Sequence, residues 1–332
     1  MLMSDSLASL LKIARIAGER ASKICQTVLD GTPLSLEKGD KSPVTLADYG
    51  CQAVILREVA SAFPDHVIVA EEGSEHLKET AGDEGTKRIV ELVSGNLEEE
   101  VNFDQVCAWI DHQGTGKSEY TWSIDPIDGT KGFLRREQYA VAIGIMKNNV
   151  PYAGVLACPN LPVDLNQPDG PRGVLYVAAK GQGTTRVALD GGEATPVHTN
   201  AQADAAACRV LGSVESAHGD PALVVSMMKE AGIQGGFVRY DSQAKYGILA
   251  DGNAEIYVRP RSRPDYRENI WDHVAGVIVA EEAGGKVTDL DGKALNFALG
   301  KRLTENRGVL ATASADIHDF VVKGLQLAEA KN

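Results

Sequence analysis

The chain has 332 residues, and its 33 lysines and arginines against 46 aspartates and glutamates give a formal net charge of −13. Nucleic-acid backbones and anionic lipid surfaces attract clusters of lysine and arginine, so this balance argues against both partners. No stretch approaches the roughly 18 apolar residues that a membrane helix needs. The 43% hydrophobic and 24% charged residues are typical of a globular protein. We therefore expect a globular protein that binds neither nucleic acid nor membranes.

The first 29 residues predict an amphipathic helix rather than a secretory signal peptide. Leu7, Leu10 and Leu11 recur at helical spacing. The segment lacks the basic start, the uninterrupted apolar core and the small-residue cleavage site of a signal peptide. The five cysteines are widely scattered and none belongs to a CxxC pair, which is typical of reduced thiols. We therefore expect a cytoplasmic protein.

Helices and strands are predicted to alternate through the rest of the first half. Apolar stripes predict helices over residues 48–63, 86–93 and 102–109. Short β-branched or alternating runs predict strands over residues 66–70, 120–124, 140–146 and 153–157. Residues 161–173 are rich in proline, aspartate and glycine, so we predict that they connect two domains, residues 1–160 and 161–332.

The second half is predicted to continue this alternation. Strands are expected over residues 174–179, 236–239, 255–258 and 286–288. Helices are expected over residues 221–231, 243–250 and 272–283, the last ended by two glycines. Interleaved strands and helices in both halves indicate a mixed α/β or α+β fold.

Acidic residues lie at the ends of several predicted elements, where side chains from distant segments can converge on one point. Hard divalent cations such as Mg²⁺ prefer oxygen ligands. Pro126 holds the turn after the strand rigid and leaves the Ile127 carbonyl oxygen free as a further ligand. Gly129 and Thr130 then open a short helix over residues 131–137, whose N–H groups are able to receive a phosphate. The acidic candidates are Asp48, Glu71, Glu72, Asp125, Asp128 and Asp272.

Each of these carboxylates taken alone is better interpreted as a helix cap, a turn former or a solvated charge. For Asp272 in particular, a helix-capping role alone would be a sufficient explanation. The apolar neighbours Ile124, Ile127 and Trp271 indicate partly buried surroundings, where unpaired carboxylates are costly. Taken together, the carboxylates therefore predict a site that holds a compensating cation.

Two long segments resemble the signature motifs of the lithium-sensitive, magnesium-dependent inositol monophosphatase superfamily. They are residues 123–133 (SIDPIDGTKGF) and residues 271–285, which contain Trp-Asp-His, Ala-Gly and Glu-Ala-Gly-Gly. Residues 40–50 (DKSPVTLADYG) and 241–246 (DSQAKY) resemble the 3′(2′),5′-bisphosphate nucleotidase branch of that superfamily. The resemblance extends from about Ile13 to Leu310.

The resemblance implies a five-layer αβαβα sandwich with the active site between its two sheets. It also implies two Mg²⁺ ions, and a third, weaker one near Glu71 and Asp48. The implied ligands of the first ion are Glu71, Asp125 and the Ile127 carbonyl, and those of the second are Asp125, Asp128 and Asp272. The ions would neutralise the phosphomonoester, lower the pKa of a bound water and stabilise the leaving alkoxide.

The remaining site residues are implied by the same resemblance. Thr130 would orient the water and pass its proton toward Asp48, although 82 positions separate the two residues and their spacing does not predict a contact. Ser242, Lys245 and Arg259 would grip the phosphate that is not cleaved, with Gly129 and Thr130 beside the one that is. His218 would lie near the nucleoside.

The implied activity is removal of the 3′-phosphate of adenosine 3′,5′-bisphosphate (PAP), giving AMP and phosphate, with the sulfated nucleotide PAPS as a further substrate and Li⁺ as an inhibitor. We expect a monomer. Two alternatives stay open among the enzymes, an inositol polyphosphate 1-phosphatase and a simple inositol monophosphatase. A third, from another class, is a catalytically silent nucleotide-binding regulator, against which the complete set of acidic residues and Thr130 argues.

Overall fold

The helices and strands of the chain were taken from a computed structural model, which describes residues 3–31, 35–37, 43–116, 118–201, 204–214 and 219–331. The α-helices are α1 (Leu7–Asp30), α2 (Leu46–Ala62), α3 (Ser74–Thr80), α4 (Gly82–Leu97), α5 (Phe103–Ile110), α6 (Thr130–Leu134), α7 (Pro221–Glu230), α8 (Ala244–Ala250), α9 (Val274–Glu282) and α10 (Ala315–Glu329). The strands are β1 (Ser35–Glu37), β2 (Pro43–Thr45), β3 (Val67–Ala70), β4 (Tyr120–Asp128), β5 (Ala140–Lys147), β6 (Val150–Pro162), β7 (Arg172–Ala179), β8 (Gly183–Ala188), β9 (Thr195–Val197), β10 (Val210–Gly212), β11 (Phe237–Arg239), β12 (Ile256–Arg259), β13 (Lys286–Thr288) and β14 (Val309–Thr312).

The larger sheet has seven strands in the order β3-β4-β5-β6-β7-β8-β9. Strand β3 runs parallel to β4, and the other neighbours are antiparallel. Because side chains alternate along a strand, Val141 and Ile143 of β5 join the core under α1 and α2. Ala140 and Ala142 of the same strand join a second core with α8 and α9. Both faces of the sheet are therefore covered by helices.

The smaller sheet has five strands in the order β11-β10-β12-β14-β13. Strand β10 runs parallel to β11 and β12, and β14 runs antiparallel to β12 and β13. Leu211 and Tyr257 pack toward α8 and α9, while Val210 and Ile256 pack toward α7 and α10 in a third core. Three cores between helix and sheet layers make the five-layer αβαβα sandwich, and the predicted fold class is confirmed.

Two glycines let α9 lie directly on the larger sheet. A Cβ on Gly144 of β5 would stand 2.5 Å from Val274 Cγ1, and one on Gly154 of β6 would stand 2.6 Å from Ile278 Cγ2. Such distances are too short for any side chain, so both positions require glycine. The close packing brings the first turn of α9, and the residues just before it, against the middle of the larger sheet.

The larger sheet continues past the domain boundary predicted after residue 160. Residues 161–173 join β6 to β7, which pair with each other up to Pro162 and Arg172, and the smaller sheet begins only at Val210. Proline, aspartate and glycine mark tight loops as well as interdomain linkers, so composition alone did not distinguish the two. This segment is a hairpin connection within one sheet.

Several other elements differ from their predicted bounds, and three of these differences lie next to the candidate site residues. Strand β4 runs on through the segment that was predicted as a turn and ends at Asp128. The helix predicted over residues 272–283 is divided at His273 into a 3-10 helix (Ile270–Asp272) and α9, because His273 has φ −138° and ψ −38°. Helix α6 ends at Leu134, just before Arg136, which has a left-handed φ of 61°. None of the helices in the described ranges has both the length and the apolar character needed to cross a bilayer.

Candidate active site

Asp125 lies on β4 where the ladder with β5 is irregular. The register shifts between Asp125 and Asp128, so this stretch departs from regular alternation as a β-bulge does. Asp125 is buried, with 2% of its surface exposed, and its Oδ1 accepts a hydrogen bond of 3.1 Å from the Ile127 N–H. Pro126 has no N–H to donate. The local backbone therefore holds the Asp125 carboxylate inward, near the Ile127 peptide.

Asp128 of the same strand and carboxylates from two other segments lie near Asp125. Burial, followed by the negative charges of Glu71, Asp128 and Asp272, raises the pKa of Asp125 well above its ordinary value. Burial also raises the pKa of Asp272, against the opposing charge of Arg259 and together with the charge of Asp128. Like charges held together in partly buried surroundings are costly unless a cation compensates them. The donor set consists of oxygen atoms, which fits a hard divalent cation.

A different group of possible metal ligands is formed by Glu268, Asp272 and His273, whose ligand atoms lie within 4.8 Å of one another. An arginine already occupies the middle of this group. Arg259 Nε lies 3.0 Å from Glu268 Oε2 and its Nη2 lies 3.3 Å from Asp272 Oδ2. Because the guanidinium already supplies a positive charge there, we interpret this group as an ion-pair network.

Asp48 and Thr130, 82 positions apart, are in contact. The Thr130 Oγ1 donates toward Asp48 Oδ1 at 3.4 Å or toward the Ile127 carbonyl at 3.2 Å. A capping box at the start of α2 orients Asp48, since the N–H and Oγ1 of Thr45 donate to its Oδ2 at 2.8 and 2.7 Å. The other carboxylate oxygen of Asp48 is thereby turned toward Thr130.

The candidate phosphate-binding residues come from the second half of the chain. Lys245 is buried, its Nζ donates to the Tyr240 carbonyl at 3.0 Å and lies 5.3 Å from the centre of the Tyr257 ring. Burial lowers the pKa of Lys245 to about 8, although the charge of Asp128 opposes this. Arg259 stands at the end of β12, beside Asp272. Two cationic groups thus adjoin the carboxylate cluster.

Gly129 and Ser242 also meet, although they come from opposite halves. Gly129 has φ 88°, and a Cβ on it would stand 3.1 Å from Ser242 Cβ. Ser242 itself has φ 67°, and its Oγ accepts a hydrogen bond from Ala244 N at 3.2 Å. The structure therefore brings the two predicted contact residues side by side. His218, predicted near the nucleoside, lies outside the described residues. The same holds for residues 40–42, the first three of the motif at residues 40–50.

A crevice opens at the carboxyl ends of the parallel strands β10 and β12. Helix α7, which follows β10, packs on one face of the smaller sheet, and α8, which precedes β12, packs on the other. Open α/β sheets bind ligands where helices diverge in this way. The crevice is lined by Gly212, Ser213, Tyr257, Arg259 and Pro260, among other residues. Arg259 therefore belongs both to this crevice and to the surroundings of Asp272.

Three residues with polar contacts at the site were not predicted. Gln243 donates its backbone N–H to Asp128 Oδ2 at 2.6 Å and its side-chain Nε2 to the Trp271 carbonyl at 2.9 Å. Gln52 brackets Glu72, donating to its carbonyl at 2.7 Å and accepting from its N–H at 2.9 Å. Glu268 binds Arg259. Gln243 lies in the motif at residues 241–246, whereas no local pattern singles out Gln52 or Glu268.

Comparison with known proteins identifies relatives of this chain. The model of the inositol monophosphatase family matches residues 6–329. A 3′(2′),5′-bisphosphate nucleotidase of Schizosaccharomyces pombe is 36% identical over 316 residues, covering 90% of this chain and 88% of the relative. One from Emericella nidulans is 38% identical over 351 residues, covering 95% and 96%. The predicted resemblance to these nucleotidases is thus confirmed.

Solved structures show the same fold. An inositol monophosphatase from Anabaena superposes with a TM-score of 0.63 at 25% identity, covering 97% of this chain and 96% of that one. Thermotoga maritima IMPase superposes with a TM-score of 0.64 at 20% identity, covering 99% of each. Since the family model spans nearly the whole chain and relatives above 30% identity cover it almost end to end, the chain belongs to the inositol monophosphatase family.

Proposed function

We propose that this protein is a Mg²⁺-dependent phosphomonoesterase that converts adenosine 3′,5′-bisphosphate to AMP and phosphate, with PAPS as a further substrate and Li⁺ as an inhibitor. The observation that carries the proposal is the convergence of Glu71, Asp128 and Asp272 on the buried Asp125. The names of the curated relatives support the substrate.

The proposed metal ligands are the Ile127 carbonyl and the carboxylates of Glu71, Asp125, Asp128 and Asp272. Bound Mg²⁺ would supply positive charge for the phosphate and a lower pKa for the attacking water. The residues themselves contribute a set of oxygen ligands, some of which are held in place by the protein before the substrate arrives. The Asp128 carboxylate, for example, is held at its Oδ2 by the Gln243 N–H at 2.6 Å.

The proposed proton path runs from the water to the Thr130 hydroxyl and on to Asp48. The Thr130 hydroxyl has one proton and two acceptors within reach, Asp48 Oδ1 and the Ile127 carbonyl. When its proton points to Asp48, the Oγ1 lone pairs are able to accept a proton from water. Thr45 engages Asp48 Oδ2, and Oδ1 is the oxygen that contacts Thr130. General base catalysis of this kind contributes about 10²- to 10⁴-fold.

The proposed contacts to the retained phosphate are Ser242, Lys245 and Arg259, with His218 beside the nucleoside and Gly129 beside the cleaved phosphate. Lys245 and Arg259 supply two positive charges next to the carboxylate cluster, in a chain whose formal net charge is −13. A second phosphate on the substrate would give these two charges an anionic partner. This charge arrangement supports a bisphosphate as the preferred substrate.

The test is phosphate release by the purified protein from four substrates, PAP, PAPS, inositol 1-phosphate and inositol 1,4-bisphosphate, with and without Mg²⁺ and with added Li⁺. We expect Mg²⁺-dependent release that is fastest from PAP and is inhibited by Li⁺. Faster release from either inositol phosphate would replace the nucleotidase assignment with the corresponding inositol phosphatase. Absence of release from all four would leave the nucleotide-binding regulator as the better reading.

A further inference from the structure

The buried carboxylate of Glu268 holds the side chain of Arg259. The side chain of Glu268 is 3% exposed, and its Oε2 lies 3.0 Å from Arg259 Nε. Its backbone is anchored as well, because the Glu268 carbonyl accepts a hydrogen bond from Leu303 N at 2.9 Å. Glu268 lies outside the proposed ligands and substrate contacts, so its charge is not needed for either of those roles.

A second contact engages the same oxygen of the Glu268 carboxylate. His273 Nε2 lies 3.3 Å from Glu268 Oε2, and His273 Nδ1 lies 2.8 Å from the Tyr246 hydroxyl. His273 is completely buried, and burial lowers its pKa. Tyr246 follows Lys245 on α8, so a chain of hydrogen bonds joins the helix that carries Lys245 to the guanidinium of Arg259.

We propose that Glu268 is a positioning residue that orients Arg259 toward the phosphate that is not cleaved, and that it thereby sets the preference for bisphosphates over monophosphates. This inference rests on the function proposed above. A guanidinium is planar, so a partner on Nε fixes the plane in which the two Nη atoms lie. The pair to Asp272 then engages Nη2, and Nη1 is directed by the same plane.

Removal of the Glu268 charge leaves Arg259 with one of its two carboxylate partners. The carboxylate of Asp272, 3.3 Å from Nη2, would then remain as an ionic partner, but the charged partner that fixes the plane of the guanidinium at Nε would be gone. An arginine side chain that must be ordered on binding costs affinity, because its rotamer freedom is lost when the ligand binds. The loss should be confined to ligands that carry the retained phosphate.

The decisive experiment compares PAP with 3′-AMP, which has the same base, sugar and cleaved phosphate but lacks the 5′-phosphate. For Glu268→Gln we expect KM for PAP to rise about tenfold, the effect of weakening one charged hydrogen bond. We expect kcat/KM for 3′-AMP to stay within about twofold, so the ratio of the two kcat/KM values falls about tenfold. Glu268→Asp, which keeps the charge on a shorter side chain, should recover part of the ratio.

A binding measurement makes the test independent of turnover. The calorimetric Kd of 5′-AMP, which carries only the retained phosphate, should rise about tenfold in Glu268→Gln, while that of adenosine should not change. If the wild-type protein releases no phosphate from PAP, the proposed function fails, and the 5′-AMP measurement still decides the role of Glu268.

The matched control is Glu255→Gln at the other end of β12. Glu255 is buried and pairs with an arginine in the same way, its Oε1 lying 2.9 Å from Arg209 Nη2. This variant should lower the free energy of unfolding without changing the ratio of PAP to 3′-AMP. An unchanged ratio in Glu268→Gln, whether kcat/KM falls equally for both substrates or for neither, would overturn the proposal and leave Glu268 a structural residue.

Discussion

The side chain of Gln243 serves as a remote cap for α9, and its removal should weaken both the fold and the binding of Mg²⁺. The N-cap of α9, His273, makes no side-chain capping bond. The N–H of Gly276 in the first turn donates instead to Gln243 Oε1 at 3.2 Å. Gln243 Nε2 donates to the Trp271 carbonyl at 2.9 Å. These two bonds hold both ends of the short segment that carries Asp272.

Gln243→Leu removes these two bonds and keeps the backbone N–H that donates to Asp128. Each buried backbone group left without a partner costs about 1–3 kcal/mol, so the two together should cost about 2–6 kcal/mol. That is a large part of the roughly 5–15 kcal/mol by which folded proteins are stable. Urea unfolding of the metal-free protein measures this loss.

The proposed Mg²⁺ dependence of activity provides the measurement for the functional part of the same prediction. Loss of a residue that orients a metal ligand typically lowers metal affinity about 10- to 100-fold. We therefore expect the half-saturating Mg²⁺ concentration of Gln243→Leu to rise at least about tenfold, with much of kcat restored at high Mg²⁺.

The control for Gln243 is Asn306→Leu. Asn306 is a buried amide whose Nδ2 donates to Asp289 Oδ2 at 3.1 Å and to the Ala294 carbonyl at 2.9 Å. It should lose comparable stability and keep the wild-type response to Mg²⁺. The reasoning is refuted if Gln243→Leu unfolds at the wild-type urea concentration, or if both variants shift the Mg²⁺ response equally.

Three further predictions address the site and the fold. Asp125→Asn should lower kcat at least about a thousandfold and leave circular dichroism unchanged; appreciable residual turnover would contradict the proposed metal-bridging role. Thr130→Ala should lower kcat at least about 100-fold, whereas Thr130→Ser keeps the hydroxyl near Asp48 and should retain most activity. Equal kcat values for these two variants would exclude the proton path. His318 donates or accepts at Thr288 Oγ1, and burial lowers its pKa from 6.5 to about 4. The unfolded chain therefore binds more protons in that window, and stability falls as pH drops through it. When the pH is lowered from 7 to 5, the free energy of unfolding of His318→Gln should fall by about 2 kcal/mol less than that of the wild type. Equal decreases in the two proteins would contradict the lowered pKa of His318.

Local patterns predicted most of the secondary structure, because each helix or strand is shaped by its own apolar spacing. The prediction over residues 66–70 fits β3, and the one over residues 221–231 fits α7. Over residues 161–173 composition does not distinguish a hairpin loop from a linker, because both are rich in proline, aspartate and glycine. Apolar spacing over residues 272–283 does not show the break at His273, whose ring contacts Glu268 and Tyr246.

The candidate site was predicted as a set of residues but not as an arrangement. Carboxylates at element ends indicated a cation, and the motifs supplied their assignment to ligands. The contact between Asp48 and Thr130 spans 82 positions, and that between Asp128 and Gln243 spans 115. The first contact depends on how α2 packs on the larger sheet, and the second on how the residues before α8 meet the end of β4; no local spacing encodes either of them.

By itself, the sequence determined the chemistry that is available: oxygen ligands on Asp125 and its partners, a hydroxyl on Thr130, and cations on Lys245 and Arg259. Residue type and nearby motifs are local properties, so they can be read along the chain. Only the tertiary structure decided which groups hold the others in place. Glu268 has no distinctive local pattern, and the motif that contains Gln243 does not indicate what its side chain does. Both roles arise from burial and from partners that folding brings within about 3 Å.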